Sequence, residues 1–275
     1  MFSFKKTLMT TLLFCFIQSA QASLVTVSEF SAFQPTLMDT WLYGDMRDGG
    51  TADIVSLNGL GGDLENNSPL GNDALKLTTG LANNDKAEII IQNDFGMVSD
   101  IFDNSLSFSY DYYRTNIDNG NAFAAPSLKL GFYNSNCLQG EDCYFQLIYE
   151  PYFNAMLADS QWTNISINLN IGDFWNTGGF GLASGGGGCG AVGCITLDET
   201  KSAANANFNS SHLVSVALGI GSYNQGVVGY VDNVNINVGQ FNQTYDFENV
   251  EVPEPSSIAL LGLSIIGLVT RKFRK

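Results

Sequence analysis

The sequence predicts an all-β fold, a two-sheet β-sandwich of jelly-roll type, and three observations carry that expectation. Short segments alternate strictly between apolar and polar residues, clusters of Gly, Asn and Asp separate them, and the body of the chain has no long amphipathic helix. Over 105–112, Leu106, Phe108, Tyr110 and Tyr112 fall on one face, with Ser105, Ser107, Ser109 and Asp111 on the other. Ile165, Ile167, Leu169 and Ile171 repeat the pattern, as do Val214, Val216, Leu218 and Ile220. Each is a half-buried antiparallel strand covering a core on one side. Further strands are expected at 24–30, 74–79, 87–93, 127–134, 143–149, 227–238 and 243–248. About ten strands at this spacing fill two packed sheets.

Three segments follow in order. Residues 1–22 carry Lys5 and Lys6, an apolar run from Leu8 to Ile17, and Ala20-Gln21-Ala22. That is the order of a secretory signal peptide cut before Ser23, so the mature chain is expected to be exported. Residues 23–251 form the β-sandwich domain. Residues 252–275 hold Pro253-Glu254-Pro255, an apolar stretch over 257–270 and a basic tail over 271–275. The apolar stretch would span about 21 Å as a helix, short of a hydrocarbon core of roughly 30 Å. Arg271, Lys272, Arg274 and Lys275 would hold the C-terminus on the cytoplasmic side. Such a segment suits a temporary anchor, and the two prolines keep the motif before it extended and accessible.

Pro253-Glu254-Pro255, the short apolar helix and the basic tail together resemble the PEP-CTERM sorting signal of Gram-negative bacteria. The resemblance covers the final 24 residues. It implies transient anchoring in the inner membrane and processing by a membrane exosortase. It also implies a final place on the outer surface or in an exopolysaccharide-rich biofilm matrix.

The body carries six basic and 26 acidic residues, a net charge of −20. Nucleic acid and anionic membranes would be repelled, whereas neutral glycans and divalent cations are compatible partners. Acidity on this scale also serves solubility. Four cysteines remain after Cys15 leaves with the signal peptide. Three pairings are open to them. The close spacing favours the local one, Cys137–Cys143 with Cys189–Cys194, in an exported chain. Zinc is the rival, disfavoured by spacings wider than CxxC and by a single histidine, His212.

Catalytic patterns are scarce. No Gly-x-Ser-x-Gly turn accompanies His212, and no Gly-Lys-Ser/Thr closes the glycine-rich loop over 176–194. A second Gly/Asn-rich loop spans 58–73, and no internal repeat is evident. Glycoside hydrolysis needs two opposed carboxylates, whereas Glu88 stands isolated and Glu150 precedes a proline.

Scattered positions through 28–80, with the strand "VVGYVDNVNINV", resemble carbohydrate-binding jelly-roll modules. In such modules an acid like Asp232 helps hold a structural calcium, which here implies Glu29 or Asp53 as its partner. Alternation places Asp232 with Tyr230, Val234, Ile236 and Val238, so its carboxyl needs a hydrogen bond, a base or a metal. A capping hydrogen bond to a turn is the other reading. Asp45, Asp48 and Asp53 form a second acidic loop without EF-hand spacing. Glycan contact would come from aromatic faces: Trp41, Trp175 and Tyr113 first, then Trp162, Tyr152 and Tyr223. Most aromatic side chains in a sandwich fill its core, and that reading stands beside each.

The expected function is therefore a non-catalytic surface or matrix protein, sorted by exosortase and binding exopolysaccharide or another glycan. A structural or adhesive protein with protein or cell partners is the alternative, and a glycoside hydrolase a distant third.

Overall fold

The computed structural model describes residues 22–116, 120–137, 143–154, 158–185, 188–189 and 193–249. The signal peptide, apart from Ala22, and the sorting segment with Pro253, Glu254 and Pro255 lie outside the described residues.

Thirteen strands are described: β1 (Ser23–Val27), β2 (Trp41–Tyr43), β3 (Thr51–Ser56), β4 (Asp73–Thr78), β5 (Ala87–Met97), β6 (Ser107–Asn116), β7 (Ser127–Tyr133), β8 (Tyr144–Tyr149), β9 (Thr163–Asn168), β10 (Phe174–Asn176), β11 (His212–Ile220), β12 (Val227–Val238) and β13 (Phe241–Phe247). All ten expected strands are among them. The additional ones, β2, β3 and β10, are short or too polar to alternate visibly. The helices among the described residues are single turns or little more; the longest, Leu197–Ala203, starts with a Thr196/Glu199 capping box.

The strands form two sheets, as the alternation requires. One has six strands in the order β10-β8-β7-β11-β5-β2, antiparallel throughout. The other has seven and is built on β12, which pairs with β6 along one edge, and β6 with β9. The other edge of β12 is shared. Residues 228–231 pair with β4, which continues to β3, and residues 234–238 pair with β13, which continues to a parallel β1.

Between the sheets lies one apolar core. Phe108, Tyr110, Val231, Ile236 and Tyr245 face Ile89, Leu130, Phe145, Val216 and Leu218 within it. One end is closed by Phe102, Phe180 and Phe208, whose rings meet Phe132 or Phe145 edge to face at 5.2–5.9 Å. Tyr110, fully buried, donates its hydroxyl to the Pro126 carbonyl at 2.9 Å.

Two strands depart from simple alternation. In β11 the register shifts between Leu213 and Ser215, so Leu213 joins Val216, Leu218 and Ile220 in the core. Val214, expected on that face, instead lines a surface depression. In β12 the register shifts between Asp232 and Asn235, where Asn233 has φ +51°. Asp232 therefore does not share a face with Val234, Ile236 and Val238, as strict alternation implied. It sits at the fork between β4 and β13, fully buried. Its carboxyl accepts N–H bonds from Leu70 at 3.0 Å and Phe247 at 3.3 Å.

Candidate functional site

Side chains that point away from the core on the six-stranded sheet form rows across it. Strand register puts Ile90, Ala217, Lys129, Ile148 and Trp175 in one row, crossing β5, β11, β7, β8 and β10. The next row runs Gln92, Ser215, Gly131, Gln146, and beyond it His212, Tyr133 and Tyr144 stand opposite one another. Gly131 keeps the middle of the face open. A Cβ there would lie 2.3 Å from the Ser215 hydroxyl.

Two depressions occupy this face. The first, a cleft of about 620 Å³, has Lys129, Gln146, Ile148 and Glu150 on its floor. Trp175, Tyr152 and Tyr223 stand around it, with Asn121, Thr177 and Asn224 as polar neighbours. β10 presents Trp175 because its three residues pair with β8, and flanking Phe174 is held in the core. Tyr223, 69% exposed, sits at the rim with φ +67°, its N–H donating to the Asn83 carbonyl at 2.8 Å. A non-glycine residue held in that region points to a site under local constraint.

Alternating charges lead to the floor of the cleft. Arg47 pairs with Asp45, Asp45 with Lys86 at 2.8 Å, Lys86 with Glu88 at 3.3 Å, and Glu88 with Lys129 at 2.5 Å. Glu88 is 5% exposed and Lys129 6%. Burial raises the Glu88 pKa, but Lys129 and Lys86 outweigh it and hold the carboxyl below its usual range. Burial likewise opposes the charge on Lys129, and Glu88 reverses that effect. Glu150 differs. Burial pushes its pKa up to about 7, against the pull of Lys129 and Trp175. The Trp175 indole N–H is buried and makes no hydrogen bond of ordinary geometry.

The second depression, about 710 Å³, is walled by Phe33, Pro35, Met38, Tyr133 and Tyr144, with His212 and Val214 at its edge. Asp94 holds the His212 Nδ1 at 2.7 Å, which accounts for this histidine without a nucleophile.

The remaining expected residues fall elsewhere. Trp41 is 2% exposed and packs edge-on against Tyr245 and Phe247, so it belongs to the core and offers no stacking face. Tyr113 lies on the opposite sheet, packed with Trp162 and Tyr230 in a small cluster under the 57–66 segment. The Trp162 indole donates to the Leu64 carbonyl at 3.1 Å, so both rings are structural. The structure therefore brings Trp175 together with Tyr152 and Tyr223, and leaves Trp41 and Tyr113 apart. Glu88, Lys129 and Glu150 were missed as members of one site, because nothing in sequence joins β5, β7 and β8.

The calcium reading does not fit the observed donors. Asp232 is occupied by two backbone N–H groups, whereas Glu29 and Asp53 line a different depression beside Tyr43 and Asn249. Asp45 is committed to Arg47 and Lys86. Among the described residues no three His, Cys, Asp or Glu side chains form a metal-holding group. Cys137 is bonded to Cys143 and Cys189 to Cys194, the local pairing.

Residues 251–275 match the PEP-CTERM protein-sorting motif. No curated protein matches the sequence. The fold is similar to a family 11 carbohydrate-binding module from Clostridium thermocellum in complex with a β-1,3-1,4-mixed-linked tetrasaccharide. That likeness has 14% identity and a TM-score of 0.35, over 70% of this chain and 85% of the module. It is also similar to the CBM22-1 xylan-binding domain from a Paenibacillus barcinonensis protein, at 11% identity and a TM-score of 0.31, over 74% and 88%. An arabinose-bound α-L-arabinofuranosidase gives 8% identity and 0.33, over 72% of this chain and 23% of the enzyme. Nothing about the ligand of this chain follows from likenesses at this level.

Proposed function

We propose that this chain, which ends in a PEP-CTERM protein-sorting motif, is an exported, exosortase-processed surface or matrix protein. Its body binds a neutral glycan, such as the exopolysaccharide around the cell, without chemistry. The observation that supports binding most is the cleft on the six-stranded sheet. It combines three aromatic side chains with a polar floor, the pairing that suits a sugar's apolar ring face and its hydroxyl edge. The cations beside it are engaged by Glu88 and Asp45, which disfavours a polyanionic ligand. Glu150 is the only carboxylic acid among the described lining residues, whereas glycoside hydrolysis calls for a pair. A non-catalytic role follows from that reading.

Two measurements test the proposal. Trp175→Ala is expected to weaken binding to the recognised glycan about tenfold or more, read by calorimetry, with the thermal midpoint little changed. Unchanged affinity would remove the cleft from consideration. Intact mass of the exported protein is expected to show a start at Ser23, and loss of the basic tail only where exosortase is present. A mass retaining Lys275 in both strains would make the tail a plain anchor. The apolar walls of the second depression, with Phe33 54% and Met38 49% exposed, favour a second reading, adhesion to a protein partner. Cell binding that no glycan competes away would support it.

A further inference from the structure

Glu150 is 6% exposed, yet it lines the cleft, and the side-chain donor set against its carboxyl is the Trp175 indole. The Trp175 N–H is itself buried and does not reach ordinary hydrogen-bond geometry to that carboxyl. A buried carboxyl and a buried indole N–H that meet only imperfectly in one cleft wall are costly unless something completes them. Ile148 and Glu150 fall on one side of the chain by alternation, and Trp175 stands opposite Ile148. The acceptor, the donor and the aromatic ring thus converge on the space above one residue. We propose that Glu150 and Trp175 form the polar floor of a single-sugar subsite, in which the Glu150 carboxylate accepts from two adjacent hydroxyls of a neutral pyranose while the Trp175 N–H donates to a third oxygen.

This rests on the glycan reading and names the part of the sugar it recognises. A carboxylate takes two donors at once, which a vicinal diol provides, and Tyr152 lines the same cleft. The groups facing Glu150 are Lys129 from β7, Trp175 from β10, Tyr152 from the turn after β8, and Tyr110 from the core side; Lys86 lines the same cleft. Lys129 is held by Glu88, so it does not close a salt bridge onto Glu150.

Because the diol binds the ionised form, and the free carboxyl titrates near 7, affinity rises as pH rises through neutrality. The experiment is calorimetric titration of the folded body with cellohexaose, xylohexaose and mannohexaose at pH 6 and pH 8. Wild type is expected to bind at least one of them about tenfold more tightly at pH 8. Glu150→Gln keeps the shape and is expected to lose that pH dependence and to bind about tenfold more weakly at pH 8. His212→Gln, at the other end of the face, is expected to keep the wild-type profile. If Glu150→Gln fails to fold, the wild-type profile decides, and equal affinity at both pH values overturns the subsite. A Glu150→Gln variant with the wild-type profile overturns it too, leaving glycan binding intact. No binding of any of the three sugars by wild type, at either pH, overturns the subsite and neutral-glycan recognition together.

Discussion

Replacing Lys129 with Met is expected to destabilise the domain by about 3 kcal/mol. Lys129 and Glu88 are both buried, and each offsets the cost of burying the other. A methionine fills the space of the lysine stem but leaves Glu88 only Lys86, at 3.3 Å, and the Asp45 N–H, at 3.2 Å. Breaking a buried pair by removing one partner costs about 3–5 kcal/mol, and the retained Lys86 keeps the loss at the lower end. The sign with pH follows from Glu88. Its pKa is held below the usual range, so its stabilising contribution is present above the unfolded carboxyl pKa and is lost as pH falls through the folded one. The gap between wild type and Lys129→Met, measured by urea unfolding, should therefore be largest at neutral pH and narrow below about pH 4. Adding Glu88→Gln to Lys129→Met should restore much of the loss. A double variant no more stable than the single one would mean that the lysine acts by packing, not by charge.

Asp232→Ala should cost about as much, roughly 3 kcal/mol at pH 5, for a different reason. The Asp232 carboxyl completes the fork where β12 changes partner, and its loss leaves the Leu70 and Phe247 N–H groups buried and unpaired. Each such orphan costs about 1–3 kcal/mol. Burial pushes the Asp232 pKa up to about 7, and the nearby Asp246 adds to the rise. A raised acid stabilises the fold most below the unfolded pKa, and that contribution falls as pH rises toward the folded value. The deficit of Asp232→Ala should accordingly shrink between pH 5 and pH 8, the reverse of the trend for Lys129→Met. Parallel trends in the two variants would contradict this account. A deficit under about 1 kcal/mol at pH 5 would show that the fork holds without the bracket.

Reading the chain alone located every strand whose side chains alternate, because alternation is the direct imprint of a sheet with one covered face. It failed where a bulge reset the alternation. Counting in twos across an irregularity puts Val214 and Asp232 on the wrong side of their strands, and neither β11 nor β12 carries a glycine of its own at that point to mark it. The candidate site was half legible. Trp175, Tyr152 and Tyr223 stood out as aromatics in or beside turns, whereas Trp41 and Tyr113 carried the same chemical signal and proved to be packing residues. Glu150 and Lys129 gave no signal at all, since a lone acid before a proline and a lone lysine in an apolar strand look incidental.

Local chemistry determined what could be read in order along the chain: the two-sheet architecture, the short cysteine loops and the terminal sorting motif. Each depends on neighbours a few residues apart, which sequence displays directly. Only the tertiary structure decided which polar groups meet. Lys129 reaches Glu88 41 residues away, and Asp232 reaches Leu70 across 162, through pairings of β5, β7, β11 and β12. Burial then set their ionisation, because a charge taken from water is tolerable only where the fold delivers its partner. The cleft on the six-stranded sheet has the same origin: β7, β8, β10 and the segments that flank β5, β7, β8, β10 and β11, distant in the chain, converge on one face.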